Sequence, residues 1–332
     1  MTLREAALNR IIMLKSSRIL ITGATGFVGG LLCKRLLAEG YALQGTLLPA
    51  EDPALLVSGV RPTIVASLAS DTCWDAALAG IVTVIHLAAR VHVMDDRCSD
   101  PLQEFRKVNV AGTLKLGRDA AKAGVRRFVF VSSIKANGEE TPVPYGAGSL
   151  PNPVDPYGIS KWEAEQGLRG IAAETGMELV VVRPALVYGP GVKGNFLNLL
   201  KAVQRGIPLP LASIRNTRSL IYVGNLVDAL ARCATHPAAA GKTYLLSDGE
   251  DVSTAQLVRK VAAALRVPVR LLAFPPVLIR LAGRVTGKSA AMRRLMGSLA
   301  IDSSGIRSEL GWRPPFTMEE GLRVTADWFK KR

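Results

Sequence analysis

No apolar run in this 332-residue chain approaches the roughly 18 residues that a membrane-spanning helix needs, and no charged-then-apolar secretory segment opens it. A cytoplasmic protein without stable membrane insertion is therefore expected. The four cysteines, Cys33, Cys73, Cys98 and Cys233, stand too far apart to form a short-spaced metal-ligand pair, and they read as reduced, partly buried residues. His86, His92 and His236 lack the spacing and carboxylate company of a metal centre. His86 reads as a turn residue at a strand end, His92 as exposed, and His236 as ending a polar helix before proline; no metal is expected. There is no long basic tail, zinc-finger spacing or aromatic RNA-binding consensus, so nucleic acid is not an expected partner. Low-complexity tracts and repeats of fixed period are also missing.

What the chain does have is a hydrophobic content of 48%, which argues against disorder, and enough length to bury a substantial core. Its net charge of +15, with a pI near 10.0, predicts attraction to anions. Charge alone does not choose among nucleic acid, membrane headgroups and a phosphorylated metabolite. Residues 1–17 precede the first strand as an extension, either a short amphipathic segment or the product of a misplaced start at Met1 when Met13 is the true one.

Arg18–Thr22 is short, branched and apolar, as a buried parallel strand requires. Glycines at 23, 26 and 29 follow at once, and Gly30–Glu39 then reads as a helix. In this strand-turn-helix context Gly23 would permit the turn, Gly26 would let the backbone approach a pyrophosphate, and Gly29 would allow close helix packing, with the phosphates at the positive helix end. Further strands are expected at Tyr41–Leu47, Thr63–Ala66, Val82–Leu87, Arg127–Val131 and Glu178–Val182, spaced for helices between them. This is the pattern of a doubly wound, Rossmann-type α/β sheet whose ligand sites gather beyond the carboxyl ends of the strands. Thr46-Leu47-Leu48 ends the second strand without a charge and Glu51 is only nearby, which leaves NAD or NADP open.

Tyr157 and Lys161 lie four residues apart and emerge from one face of a helix that the Asp155-Pro156 step can start. A nearby ammonium favours a phenolate, so Tyr157 is expected to have a lowered pKa. Ser133, just after the strand Arg127–Val131, could hold a substrate oxygen beside it, and hydride transfer at an alcohol or ketone needs that kind of proton handling.

The ordered motifs Thr22 to Gly29, His86-Leu87-Ala88-Ala89, Val108-Asn109, Ser132-Ser133, Tyr157 to Lys161 and Arg183 to Pro190 resemble the extended short-chain dehydrogenase/reductase family, in its nucleotide-sugar epimerase, dehydratase and reductase branch. The resemblance spans roughly residues 17–330. It implies that residues 18–183 are mainly a dinucleotide-binding region and that 184–332 are mainly a smaller nucleotide-sugar-binding region, with segments returning to the core. By the same resemblance Ser133 orients the sugar oxygen, Tyr157 transfers its proton, and Lys161 binds the nicotinamide ribose. Gly23, Thr25, Gly26, Phe27, Val28, Gly29, Leu68, Leu87, Ala88, Ala89 and Asn109 line the NAD or NADP site, although Ser67 stands where the family often has aspartate before Leu68.

Asn195, Phe196, Arg218 and Arg294 are the candidate nucleotide-sugar contacts, the forked arginine donors being suited to a diphosphate. Ser133 to Gly138 and Arg218 to Asn225 are similar to enzymes of surface-polysaccharide precursor pathways, including lipopolysaccharide O-antigen. Lys135 and Asn137, where many 4-epimerases have other residues, favour net C4 interconversion of UDP-N-acetylquinovosamine and its 4-keto form. A UDP-glucose or UDP-N-acetylglucosamine 4-epimerase is the alternative, and a helix-mediated homodimer is implied.

Overall fold

The computed structural model describes residues 18–91, 100–285 and 289–332, so the 1–17 extension, His92 and Cys98 lie outside the described residues. In chain order the strands are β1 (Arg18–Thr22), β2 (Ala42–Leu47), β3 (Arg61–Ile64), β4 (Ile81–His86), β5 (Arg127–Val131), β6 (Glu178–Pro184), β7 (Leu186–Tyr188), β8 (Arg218–Tyr222), β9 (Thr243–Leu246) and β10 (Asp251–Val252). The main sheet runs β3-β2-β1-β4-β5-β6-β9, and every adjacent pair is parallel. This extends the doubly wound dinucleotide-binding order by one strand, with the switch point between β1 and β4.

Parallel strands buried on both faces explain the unbroken apolar runs. Ile19, Ile21, Ile85, Val129, Val180 and Val182 enter one core, while Leu20, Val84, Phe128, Phe130, Leu179 and Val181 enter the other. Each such side chain contributes roughly 1.5–3 kcal/mol on burial. Helix α1 (Gly29–Ala38) packs with the first core, and α2 (Pro156–Thr175) packs against the second. Strand bounds differ from expectation by a residue or two. β4 ends at His86, one residue early, and this leaves Leu87 in the loop at the switch point.

After β6 the chain builds a second sheet, β10-β8-β7, in which β7 and β8 are parallel and β10 is antiparallel. Helices α3 (Gly194–Gln204) and α4 (Val223–Thr235) belong to this half, but β9 returns to pair with β6 in the main sheet. An ion pair from Arg35 on α1 to Asp228 on α4, at 2.8 Å, ties the two halves together. Cys33 and Cys233 are buried and burial pushes their thiols up, to about 11 and about 12, whereas Cys73 is exposed. No helix among the described residues is long and apolar enough to cross a membrane.

Candidate active site

β1 delivers the glycine loop to the switch point. Gly23 has φ of 69°, a conformation that costs L-residues with a side chain, and a Cβ there would meet the Ala88 backbone nitrogen at 3.0 Å. Gly29 is stricter, because a Cβ would overlap the Gly23 carbonyl oxygen and stand 2.9 Å from Ala24 Cα. Gly26 is exposed at the tip of the loop. Val28 gives α1 no side-chain cap, and although the Gly30 N–H donates to the Gly26 carbonyl at 3.1 Å, the positive end of the helix faces the loop, as an anion site requires. A positive helix end beside an exposed glycine suits a pyrophosphate.

Ala88 N–H donates to Thr22 Oγ1 at 3.2 Å, holding the Leu87-Ala88-Ala89 loop against the glycine loop, with all three residues half-buried. Half-buried Phe27 reaches the other way, toward Gly191 in the loop after β7. Leu68 packs at the edge of the second core, and its carbonyl abuts Gly112. Thr25 Oγ1 donates to Glu51 Oε1 at 2.8 Å, and the Leu48 N–H donates to Glu51 Oε2 at 2.8 Å. Glu51 is therefore tied to the glycine loop, and its chain position just after an uncharged strand end gave only a weak sign of that.

Two polar residues at this end are committed to protein contacts. Asn109 is buried inside the wide-turned helical stretch Arg106–Gly112, and its amide is committed to protein: Oδ1 accepts from Arg90 N–H at 2.8 Å, while Nδ2 donates to the Arg90 carbonyl and to Ser160 Oγ, both at 3.0 Å. Its side chain thus braces α2 through Ser160, and it is the protein that this amide faces. His86, expected as a turn residue, is the last residue of β4, fully buried between Thr22 Oγ1 (2.6 Å) and Thr113 Oγ1 (2.9 Å). Burial, with the Lys161 charge, pulls its pKa down to about 3, which keeps it neutral.

β5 and α2 make the second corner. Asp155 caps α2 by accepting from Gly158 N–H at 2.6 Å, and Pro156 takes the first helical position. Tyr157, Lys161 and Glu165 then follow at intervals of four on one face. Lys161, 2% exposed, donates to the Val131 carbonyl at the end of β5 at 2.8 Å. Glu165 accepts from Ser132 Oγ at 2.5 Å and pairs with Arg183 of β6 through Nε at 2.9 Å and Nη2 at 2.5 Å. Ser133 opens the short helical turn Ile134–Ala136, which it caps by accepting from Lys135 N–H at 3.2 Å. A Cβ on Gly158 would meet the Lys135 carbonyl at 2.6 Å, so that turn lies directly against the start of α2.

The expected lowering of Tyr157 by Lys161 does not occur. Burial, and next the Asp155 carboxylate, raise the phenol above its usual value near 10. The Lys161 ammonium points to the Val131 carbonyl, 6.0 Å from the Tyr157 ring centroid and 4.5 Å from that of Phe130. Burial in turn lowers Lys161 to about 7, against an opposing pull from Glu165.

Lys135 and Asn137 also differ from their expected bearing on the substrate. Lys135 forms ion pairs with Asp155 and Glu139, and buried Asn137 accepts from Arg183 Nη1 at 2.9 Å. Both are engaged in holding the Ser133 turn. Asp155 and Glu165, missed as site residues, carried legible signals: a capping residue before proline, and a carboxylate one turn beyond Lys161.

At the substrate end the structure brings Arg218 and Arg294 together. Arg218 Nη1 donates to the carbonyls of Arg294 (2.6 Å) and Gly297 (3.0 Å), and Arg294 Nε lies 3.6 Å from Glu139. One prong of the Arg218 fork is thus spent on backbone. Phe196 is corrected outright. It is 3% exposed and stacked on Tyr188 at 5.4 Å, because Phe196, Leu197, Leu200 and Val203 form the buried stripe of α3, while Asn195 is exposed. A cleft of about 450 Å³ is lined by Arg106, Val110 and Leu114 together with Glu163 of α2.

Comparison with known proteins fits this geometry. Residues 19–247 match the family described as NAD dependent epimerase/dehydratase. A UDP-glucose 4-epimerase of Vibrio cholerae is 45% identical over 94% of this chain and 95% of its own length. The N-acetyl-alpha-D-glucosaminyl-diphospho-ditrans,octacis-undecaprenol 4-epimerase of Escherichia coli O157:H7 is 29% identical, with the same two coverages. Among solved structures, UDP-glucose 4-epimerase of Thermotoga maritima with UDP-glucose superposes with a TM-score of 0.77 at 25% identity, covering 95% of this chain and 99% of that one.

Proposed function

This chain belongs to the NAD-dependent epimerase/dehydratase family, and we propose that it is a 4-epimerase of a UDP-hexose, with UDP-glucose the first substrate to test. The observation that carries the reading is the Ser133 turn held against the start of α2, the helix that carries Tyr157 and Lys161, with only β4 between its strand and that of the glycine loop. Support for epimerisation over net C4 reduction comes from the 45% identity to a UDP-glucose 4-epimerase along nearly the whole chain. Against the contrary argument from Lys135 and Asn137 stands their engagement with Asp155 and Arg183.

NAD, when bound, supplies reversible hydride acceptance. Gly23, Gly26 and Gly29 with the uncapped start of α1 hold its pyrophosphate, and Ala88 lines the opposite wall. Glu51, anchored to Thr25, sets a carboxylate just past β2. That charge favours free ribose hydroxyls over a 2′-phosphate, hence NAD over NADP. Ser133 donates a hydrogen bond to the C4 oxygen. The Tyr157 phenol first releases its own proton to solvent; the phenolate then takes the C4 hydroxyl proton and returns it to the C4 oxygen at the end of the cycle. Lys161, in its protonated form, supplies the positive charge that favours that phenolate. Arg218 offers its remaining prong to the diphosphate beside Arg294. The helix-mediated homodimer has a grooved face available around Val110 and Leu114.

Purified protein given UDP-glucose and NAD is expected to form the C4 epimer, UDP-galactose, with no net build-up of NADH. If instead UDP-4-keto-6-deoxy-N-acetylhexosamine oxidises NADH stoichiometrically and UDP-glucose is left unchanged, the enzyme is a net reductase. Tyr157→Phe should lower turnover about 10²- to 10⁴-fold and leave NAD binding, read by calorimetric titration, near wild type.

A further inference from the structure

The fifty residues from Val252 to Ile301 contain nine lysines and arginines and no aspartate or glutamate. Within that span, outside every feature of the site, exposed apolar side chains crowd together. Val269, Leu272, Phe274, Val277, Leu278 and Leu281 are each 42–70% exposed. Burial of Ile279, 4% exposed, roots helix α5 (Pro276–Val285). Val277 and Leu281 stand one turn apart, with Leu278 beside them, so the three share one face.

The Leu209 N–H donates to the Arg270 carbonyl at 2.8 Å and the Leu272 N–H to the Leu209 carbonyl at 2.9 Å, which brings the loop of exposed Ile207 alongside. Exposed Arg266, Arg270 and Arg284 border the patch. Exposed apolar side chains gathered on one face mark a binding surface.

We propose that this face docks the protein reversibly on an anionic phospholipid bilayer. Apolar side chains at the centre match the acyl boundary, and the bordering arginines reach lipid phosphates while their stems lie on apolar surface. The charge pattern selects this occupant. Glu250 and Glu139 approach only Lys260 and Arg294 of this span, so a two-fold contact with a second copy would set the bordering Arg266, Arg270 and Arg284 against their own copies. A nucleic acid would pair with the arginines but leave Val277 and Leu281 in water. The binding is peripheral, in keeping with the lack of a spanning helix among the described residues, and it does not depend on which reaction Tyr157 serves.

Co-sedimentation of the full chain with vesicles of phosphatidylcholine and phosphatidylglycerol, compared with phosphatidylcholine alone, tests the proposal. Binding is expected to the mixed vesicles, to weaken with salt, and to fall about tenfold in both Val277→Ser/Leu281→Ser and Arg270→Glu/Arg284→Glu. Circular dichroism and the melting temperature of each variant confirm folding. Equal retention by both vesicle types, no retention by either, or an unchanged vesicle affinity in the folded variants overturns it. So does sedimentation showing that the serine variant turns a dimer into a monomer while vesicles bind neither protein.

Discussion

Lys161 has its amine on the Val131 carbonyl and almost no contact with water, and burial brings it down to about 7. A lysine in an unfolded chain titrates near 10.4, so between about pH 7 and about pH 10 the unfolded chain holds more protons than the folded one. From this group, stability is lowest below that window and rises as pH rises through it. The melting temperature of wild type, measured against Lys161→Met, is therefore expected to gain on the variant between about pH 7 and about pH 9.5. A gap that stays constant or closes would show that the amine is not depressed. The pairing of Tyr157 with Lys161 was legible in the sequence because spacing of four is a property of any helix. The direction of the Tyr157 shift was not legible, because it depends on burial and on Asp155, neither of which a spacing reveals. Asn109 and Phe196 show a related limit: a motif names a residue, but only packing shows whether its side chain faces a ligand or the protein.

Helix α2 works as a unit because three of its side chains reach three other elements: Lys161 to β5, Glu165 to Ser132 and β6, and Asp155 at its cap to Lys135 in the Ser133 turn. The Glu165–Arg183 pair is buried on both sides, and Arg183 also lies over the Trp162 ring at 5.3 Å. Removing one member of such a pair strands the other charge. Glu165→Ala is expected to lose about 3–5 kcal/mol in urea unfolding, while Glu165→Met with Arg183→Met loses less than the single variant. A single variant as stable as wild type would mean that the pair does not organise this corner. The strands and the glycine turn could be read from apolar runs and punctuation. Pairing between β6 and β9 could not, because no local pattern records which distant strand lies alongside.

For the molecule as a whole, residues 18–183 and 184–332 do not separate as folding units. β9 completes the main sheet from the far half, and α4 is ion-paired to α1. Calorimetry of the full chain should show one unfolding transition, and a fragment of residues 18–183 should show no cooperative transition. Two resolved transitions, or a stably folded fragment, would restore the two-unit view. The net charge is a whole-molecule property as well, and it misleads when averaged: the acid-free span from Val252 to Ile301 concentrates positive charge in the second half. The return of β9 also has a consequence in time. As the ribosome extends the chain, β6 emerges about 60 residues ahead of its outer neighbour, which at about 5–20 residues per second leaves its backbone edge bare for roughly 3–12 s. During that interval nascent chains on one polysome present one another with the same unpaired strand, so soluble yield should respond to translation speed between Pro184 and Thr243 more than to any equal stretch upstream.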